Sequence, residues 1–270
     1  MRRWLVHATV LVLVVSAGCS ALFEDGPDRA TVTPVEVPAV ETPLAPGVPA
    51  AADGESRTVE TERLQRADRR VRNASSYRLD RTVTIDGADG QVRIERERRT
   101  GPDGVTVDRL STSTTGLFTP AVLESTLWTD GRVFWIRTRL IDREEVLTQR
   151  NPNPPAFHEL GPALPGRLLD AADYRVVRAG ADGVVLRSTT PISLSWPAVP
   201  VALPDRHNGT AWLTVRRDGL VVETVFRYRA TFDDEPVLVT VRQRVSAVNE
   251  TTVDRPAWAE DDRTGIPVGA

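Results

Sequence analysis

Hydrophobic positions along this chain follow three different periods, and each change of period marks a boundary. Trp4 to Val15 is a mostly apolar run, broken only by His7 and Thr9. Over about residues 58–74, Leu64, Ala67, Val71 and Ala74 recur at spacings of three and four, which predicts an amphipathic helix. Glu62, Arg66, Asp68, Arg69, Arg70 and Arg72 populate its other faces, so the apolar stripe must lie on something apolar. From Tyr77 the period becomes two. Tyr77, Leu79, Val83 and Ile85 alternate with Arg78, Asp80, Thr82 and Thr84, and Asp86-Gly87 and Asp89-Gly90 mark a turn.

Further strands are expected over 91–98 and 104–111. Residues 123–129 and 132–140 flank Asp130-Gly131, a two-residue hairpin signal. A second helix is expected around 159–172, through Leu160, Leu164, Leu168, Leu169 and Ala172. Pro162 and Pro165 push its start later. Strands over 174–179 and 184–189 surround Gly180 to Gly183, and strands over 211–217 and 220–232 flank Asp218-Gly219. In the last of these, Leu220, Val222, Phe226, Tyr228 and Phe232 share one face, with Glu223, Arg227 and Arg229 on the other. Val237, Val239, Val241 and Val245 continue the alternation. Such alternation means an antiparallel sheet with one dry and one wet face. The fold class is therefore α+β: an antiparallel sheet with helices on its apolar face.

The N-terminus reads as an export signal. Met1-Arg2-Arg3 is a positive start, the apolar run follows, and Ser16-Ala17-Gly18-Cys19 supplies small residues before the only cysteine. The run is short of the roughly 20 residues a transmembrane helix needs. The segment resembles the lipobox of bacterial and archaeal lipoproteins, which implies cleavage after residue 18 and a lipid on Cys19. Arg2-Arg3-Trp4-Leu5-Val6 also resembles a twin-arginine export signal, so the export route stays open. Pro27, Pro34, Pro38, Pro43, Pro46 and Pro49 follow, with no aromatic residue from 27 to 54. Such a stretch is extended and does not fold alone. The layout is a signal over 1–18, a lipidated, disordered Pro-rich tether over 19–56, a folded domain over 57–253, and a loose polar tail over 254–270.

Composition narrows the setting. The chain has 270 residues, with 34 basic residues that are all arginine against 37 acidic ones. Without Arg2 and Arg3 the formal charge is 32 − 37 = −5. Basic residues are interleaved with acidic ones, which does not favour nucleic acid. Arginine without lysine points to a GC-rich genome, and mild acidity suits high salt. In this respect the chain resembles lipoproteins of halophilic archaea; a GC-rich bacterium is the alternative that the same composition allows.

Order of elements carries a second resemblance. An amphipathic helix ends in Asn73-Ala74-Ser75-Ser76-Tyr77, and a long meander of Gly-turn hairpins follows, interrupted by a helix. Over about residues 58–258 this resembles the half-barrel of LolA- and LprG-type lipoproteins, which implies a curved antiparallel sheet, a half-barrel, with the helices packed on its apolar concave face. The stretch from Tyr228 through Asn249-Glu250-Thr251 to Pro256-Ala257-Trp258 resembles the end of haloarchaeal members of that class. The resemblance implies a membrane-anchored extracytoplasmic protein that binds a lipid or other apolar ligand under its sheet, in a groove lined by Leu220, Val222, Phe226, Tyr228 and Phe232. A structural or interaction lipoprotein with a filled core is the alternative.

Catalytic chemistry is sparse. Beyond the signal the chain has His158 and His207 alone as histidines, and no nucleophile-elbow string. No cofactor or metal pattern is present; Asp233-Asp234-Glu235 and Glu260-Asp261-Asp262 read as solvated turns. Trp128, Phe134, Trp135, Trp196, Trp212, Phe226, Tyr228 and Phe232 are read as core or as a groove for an acyl chain. Asn73, Asn208 and Asn249 each begin an Asn-X-Ser/Thr string, a candidate glycosylation site. Asn208 has the most loop-like setting, and Asn73 also suits a helix cap.

Overall fold

In the computed structural model, residues 43–49, 58–116, 124–139, 144–149, 164–193, 203–232 and 234–259 are described. Helix α1 (Thr61–Asn73) leads into strands β1 (Tyr77–Gly87), β2 (Gly90–Thr100), β3 (Thr106–Gly116), β4 (Glu124–Thr129), β5 (Phe134–Arg139) and β6 (Glu144–Gln149). Helix α2 (Leu164–Ala171) follows, then β7 (Tyr174–Gly180), β8 (Gly183–Ser188), β9 (His207–Val215), β10 (Val221–Phe232) and β11 (Glu235–Ser246). These eleven strands of the described residues form one open antiparallel sheet in the order β6-β5-β4-β3-β2-β1-β11-β10-β9-β8-β7. Each half is a meander, and β1 and β11 close the middle, paired from Arg78↔Ser246 to Asp86↔Leu238.

Alternation decides which face is dry. Odd positions of β1 (Tyr77, Leu79, Arg81, Val83, Ile85) are buried, and even ones are half-buried. We call the face they share the inner face. Leu64 of α1 and Leu164, Leu168 and Leu169 of α2 join Val83, Ile85, Phe226 and Tyr228 in one buried cluster. Burial of such side chains stabilises by about 1.5–3 kcal/mol each. The Tyr174 hydroxyl donates to the Leu168 carbonyl at 3.0 Å, tying α2 to β7. Among the described residues no helix is long and apolar enough to cross a membrane.

Several expectations need correction. Residues 43–49 lie within the stretch expected to be a disordered tether, yet Ala45 and Val48 are buried in the main core. A backbone bond from Glu60 N–H to the Gly47 carbonyl holds them at 2.8 Å. Three apolar residues, Leu44, Ala45 and Val48, suffice to anchor this turn, and an average over the Pro-rich stretch hides them. The signal over 1–18 and the tether over 19–56, apart from 43–49, lie outside the described residues, as does residue 57. On α1, Asp68 and Arg72 are buried rather than solvated, whereas Ala74 is exposed and terminates the helix. Thr129 pairs with Phe134, so Asp130-Gly131 sits in a four-residue loop, not a two-residue one. Asp130 Oδ1 accepts the N–H groups of Arg132 and Val133 there at 2.9 and 3.0 Å, and these bonds hold its carboxyl below the usual range. Strand β6 has no counterpart in the sequence reading, because Glu144-Glu145 masks a short edge strand. The tail from Asp254 is not loose throughout: Trp258 and Ala259 pack on Trp128 and Trp135. Residues 260–270 and the expected start of the second helix at 159–163 lie outside the described residues.

Candidate functional site

The five residues expected to line one apolar groove do not share one lining. Phe226, Tyr228 and Phe232 belong to the main core, with the Phe226 and Tyr228 rings stacked at 5.1 Å. Leu220 and Val222 pack instead with Val71, Tyr77, Leu79, Val245 and Val248. Leu220, Phe226 and Tyr228 are 1%, 0% and 1% exposed, so these side chains are packed rather than open.

Two features cause the split. The first is a bulge: β10 pairs Val221 with Val215 and then Glu223 with Thr214. Val222 is the extra residue, so the phase of alternation changes there. Val221, not Val222, points into the main core. The second is a polar belt across the inner face. Thr224, Gln243, Arg81 and Arg96 stand side by side on β10, β11, β1 and β2, and all four are buried. Apolar clusters lie on either side of that row.

The belt is built as a hydrogen-bonded charge network. Arg81 Nε donates to Gln243 Oε1 at 3.1 Å. Arg96 Nε donates to both Asp108 oxygens at 2.8 and 3.1 Å, and Arg98 Nη2 reaches Asp108 Oδ2 at 2.9 Å. Burial first, then the like charges of Arg96 and Arg98, push the Arg81 guanidinium down to about 9. Buried charges persist only when paired and bonded in this way. Arg81, Arg96, Arg98 and Asp108 were not singled out in the sequence. A signal existed: each occupies the inward phase of its strand, where the pattern otherwise calls for an apolar residue.

A cavity of about 540 Å³ opens over the opposite, outer side of β1–β4. Two cross-strand rows line it: Thr82, Glu95, Ser111 and Glu124, then Asp80, Glu97, Arg109 and Thr126. Arg78 joins them, donating to Asp80 at 3.0 Å and reaching Glu97 at 3.1 Å. The Asp80 hydrogen bond raises the Arg78 pKa above its ordinary value. Arg99 pairs with Glu97 at 2.6 Å, and Arg93 with Glu95 at 2.6 Å. Both charge signs are interleaved and half in water, which suits a polar ligand surface and not an acyl chain.

Beside this groove the C-terminal segment straps the outer face. The Arg255 guanidinium lies 4.4 Å from the Trp135 ring and 5.4 Å from the Trp128 ring. Its Nε donates to the Ala259 carbonyl at 3.1 Å. Trp212 stands under Arg187 and Arg227 at 5.5 and 6.0 Å. Trp128, Trp135 and Trp212 are therefore not part of an inner groove, and Trp196 lies outside the described residues.

The remaining candidates scatter. Asn73 is the last residue of α1, Asn208 lies in β9 at φ 54°, and Asn249 follows β11 at φ 66°. All three are exposed. His207 Nδ1 lies 2.6 Å from the Asp205 carbonyl oxygen. His158, Asp233 and Glu260 to Asp262 lie outside the described residues. Among the described residues no group of three or more His, Cys, Asp or Glu is placed to hold a metal ion.

No family model matches the chain, and no curated protein matches it. Solved structures do show a likeness. LprF from Mycobacterium bovis is 15% identical, over 75% of this chain and 98% of that one, with a TM-score of 0.36. A DUF1329 family protein from Desulfovibrio piger is 9% identical, over 74% and 96%, with a TM-score of 0.29. The LolA superfamily protein NE2245 from Nitrosomonas europaea is 7% identical, over 73% and 94%, with a TM-score of 0.27.

Proposed function

We propose that this protein is a lipid-anchored interaction protein of the cell surface. Cys19 holds it on the outer side of the cytoplasmic membrane, and the outer face of β1–β4 meets a polar partner. The anchor rests on the sequence alone: a positive start, an apolar run and Ser16-Ala17-Gly18-Cys19. One observation carries the mode of action. The cavity of about 540 Å³ lies on the charged outer face, while Leu220, Phe226 and Tyr228 on the inner face are 0–1% exposed.

A second reading, a carrier that holds a lipid under its sheet, is favoured by a different observation. Among the described residues the Tyr228 hydroxyl and Thr224 Oγ1 are buried on the inner face without a hydrogen-bond partner, and such groups carry a desolvation penalty that a bound polar group would relieve. Native mass spectrometry of full-length protein from its own host separates the two. The expected species is the mature, acylated chain with no further lipid. A co-purified, non-covalent lipid decides for the carrier. Release of a folded Cys19→Ser variant into the medium is the expected mark of the anchor, and retention of that variant in the membrane overturns it.

A further inference from the structure

The chain holds five asparagines: Asn73, Asn151, Asn153, Asn208 and Asn249. Asn151 and Asn153 are each followed by proline, which bars the Asn-X-Ser/Thr pattern. Every other asparagine carries Ser or Thr two positions on: Ser75, Thr210 and Thr251. Only 40 of the 270 residues are Ser or Thr, so a hydroxyl falls at a given position about one time in seven. Three hydroxyls in three places are then expected about three times in a thousand.

Local structure explains part of this pattern. Asn208 and Asn249 sit at φ 54° and 66°, where Asn is favoured over most residues. That accounts for the asparagines and not for the hydroxyls that follow. The Thr251 hydroxyl has a turn-closing role, donating to the Ala247 carbonyl at 2.9 Å. Ser75 and Thr210 make no side-chain hydrogen bond among the described residues, and both are half-buried rather than packed.

We propose that Asn73, Asn208 and Asn249 are N-glycosylated during export. This rests on the surface location proposed above, because the saccharide donor acts on the outer side of the membrane. In the transfer, Asn Nδ2 bonds to C1 of a phosphate-linked lipid saccharide. The C1–O bond breaks, the lipid phosphate leaves, and one amide proton passes to a base; no electrons change hands. At Asn249 the transfer precedes folding of the turn, since the folded turn ties up the Thr251 hydroxyl. The three sites fall at opposite ends of the strands. Asn249 N–H donates to the Ser76 carbonyl at 2.8 Å, which places Asn249 and Asn73 at the end where β1 begins. His207, next to Asn208, pairs with Arg229, and Arg229 with Leu238, at the end where β1 stops. Sugars at both ends leave the outer face between them free for a partner.

Peptide mass spectrometry of full-length protein from its own host tests this. The peptides holding Asn73, Asn208 and Asn249 should each carry a saccharide, and the peptide holding Asn151 and Asn153 should carry none. Asn208→Gln should lower the intact mass by one glycan, as should Thr210→Ala, with Asn208 itself kept. An unmodified peptide at any of the three overturns the assignment of that residue. A cleaved N-terminus with all three unmodified overturns glycosylation and leaves the surface location standing; an uncleaved N-terminus with all three unmodified overturns both.

Discussion

Asp68 and Arg72, one turn apart on α1, together hold both backbone groups of Val221. Asp68 Oδ1 accepts the Val221 N–H at 2.9 Å, and Arg72 Nη2 donates to the Val221 carbonyl at 2.9 Å. The two side chains also bond each other, Arg72 Nε lying 3.0 and 2.9 Å from the carboxylate oxygens. Val221 needs them because the β10–β11 ladder begins only at Glu223↔Arg244. The helix thus supplies the partners that a strand would have supplied, and α1 docks at the bulge.

Breaking this pair should be costly. The Arg72 and Asp68 side chains are 6% and 5% exposed, and removing one partner of a buried pair typically costs about 3–5 kcal/mol. Asp68→Ala is expected to lower unfolding free energy by about that much. Asp68→Leu combined with Arg72→Leu should lose less than the two single changes added together. Urea denaturation of the four proteins gives the coupling. Losses that simply add would mean the pair is not the unit that docks α1.

Facing along β10 gives a sharper contrast. Phe226 is fully buried and its neighbour Arg227 is exposed. Phe226→Ala should cost about 3–5 kcal/mol, whereas Arg227→Ala should stay within about 0.5 kcal/mol. Equal losses would overturn the assignment of faces.

Arg255 should control the strap. Its stacking on Trp135 and Trp128 contributes about 0.5–2 kcal/mol by cation–π attraction. Arg255→Ala is expected to red-shift tryptophan emission and speed proteolysis after Val253, with the sheet intact by circular dichroism. Unchanged emission would show that the rings stay covered without Arg255.

Acid should weaken the turn between β9 and β10. The Arg216 hydrogen bond first, and the Leu220 N–H next, hold the Asp218 carboxyl below its ordinary value. A carboxyl whose folded pKa is depressed stabilises fully above its unfolded value of about 3.9 and loses that contribution as pH falls through the folded value. The stability gap between wild type and Asp218→Asn should therefore be constant near neutral pH and close below about pH 4. Both side chains are 40–42% exposed, so salt should shrink the gap as well. A gap that widens in acid would reverse the assignment.

Local periodicity was enough to place the elements and most of their facing. Period three-to-four placed α1, period two placed nearly every strand, and Gly turns placed the hairpins, because each signal lies within a few residues. Tertiary structure decided what those periods could not. Val222 left the groove because one extra residue between Val221 and Glu223 shifts the phase, and a bulge depends on the partner strand. Arg81, Arg96 and Asp108 are buried because neighbouring strands bring an amide beside Arg81 and an opposite charge beside Arg96. Ala45, Val48 and Ala259 found core positions through contacts far along the chain. Such long-range pairings leave no local periodicity, so only the assembled sheet defines which residues form the belt and which face carries the groove.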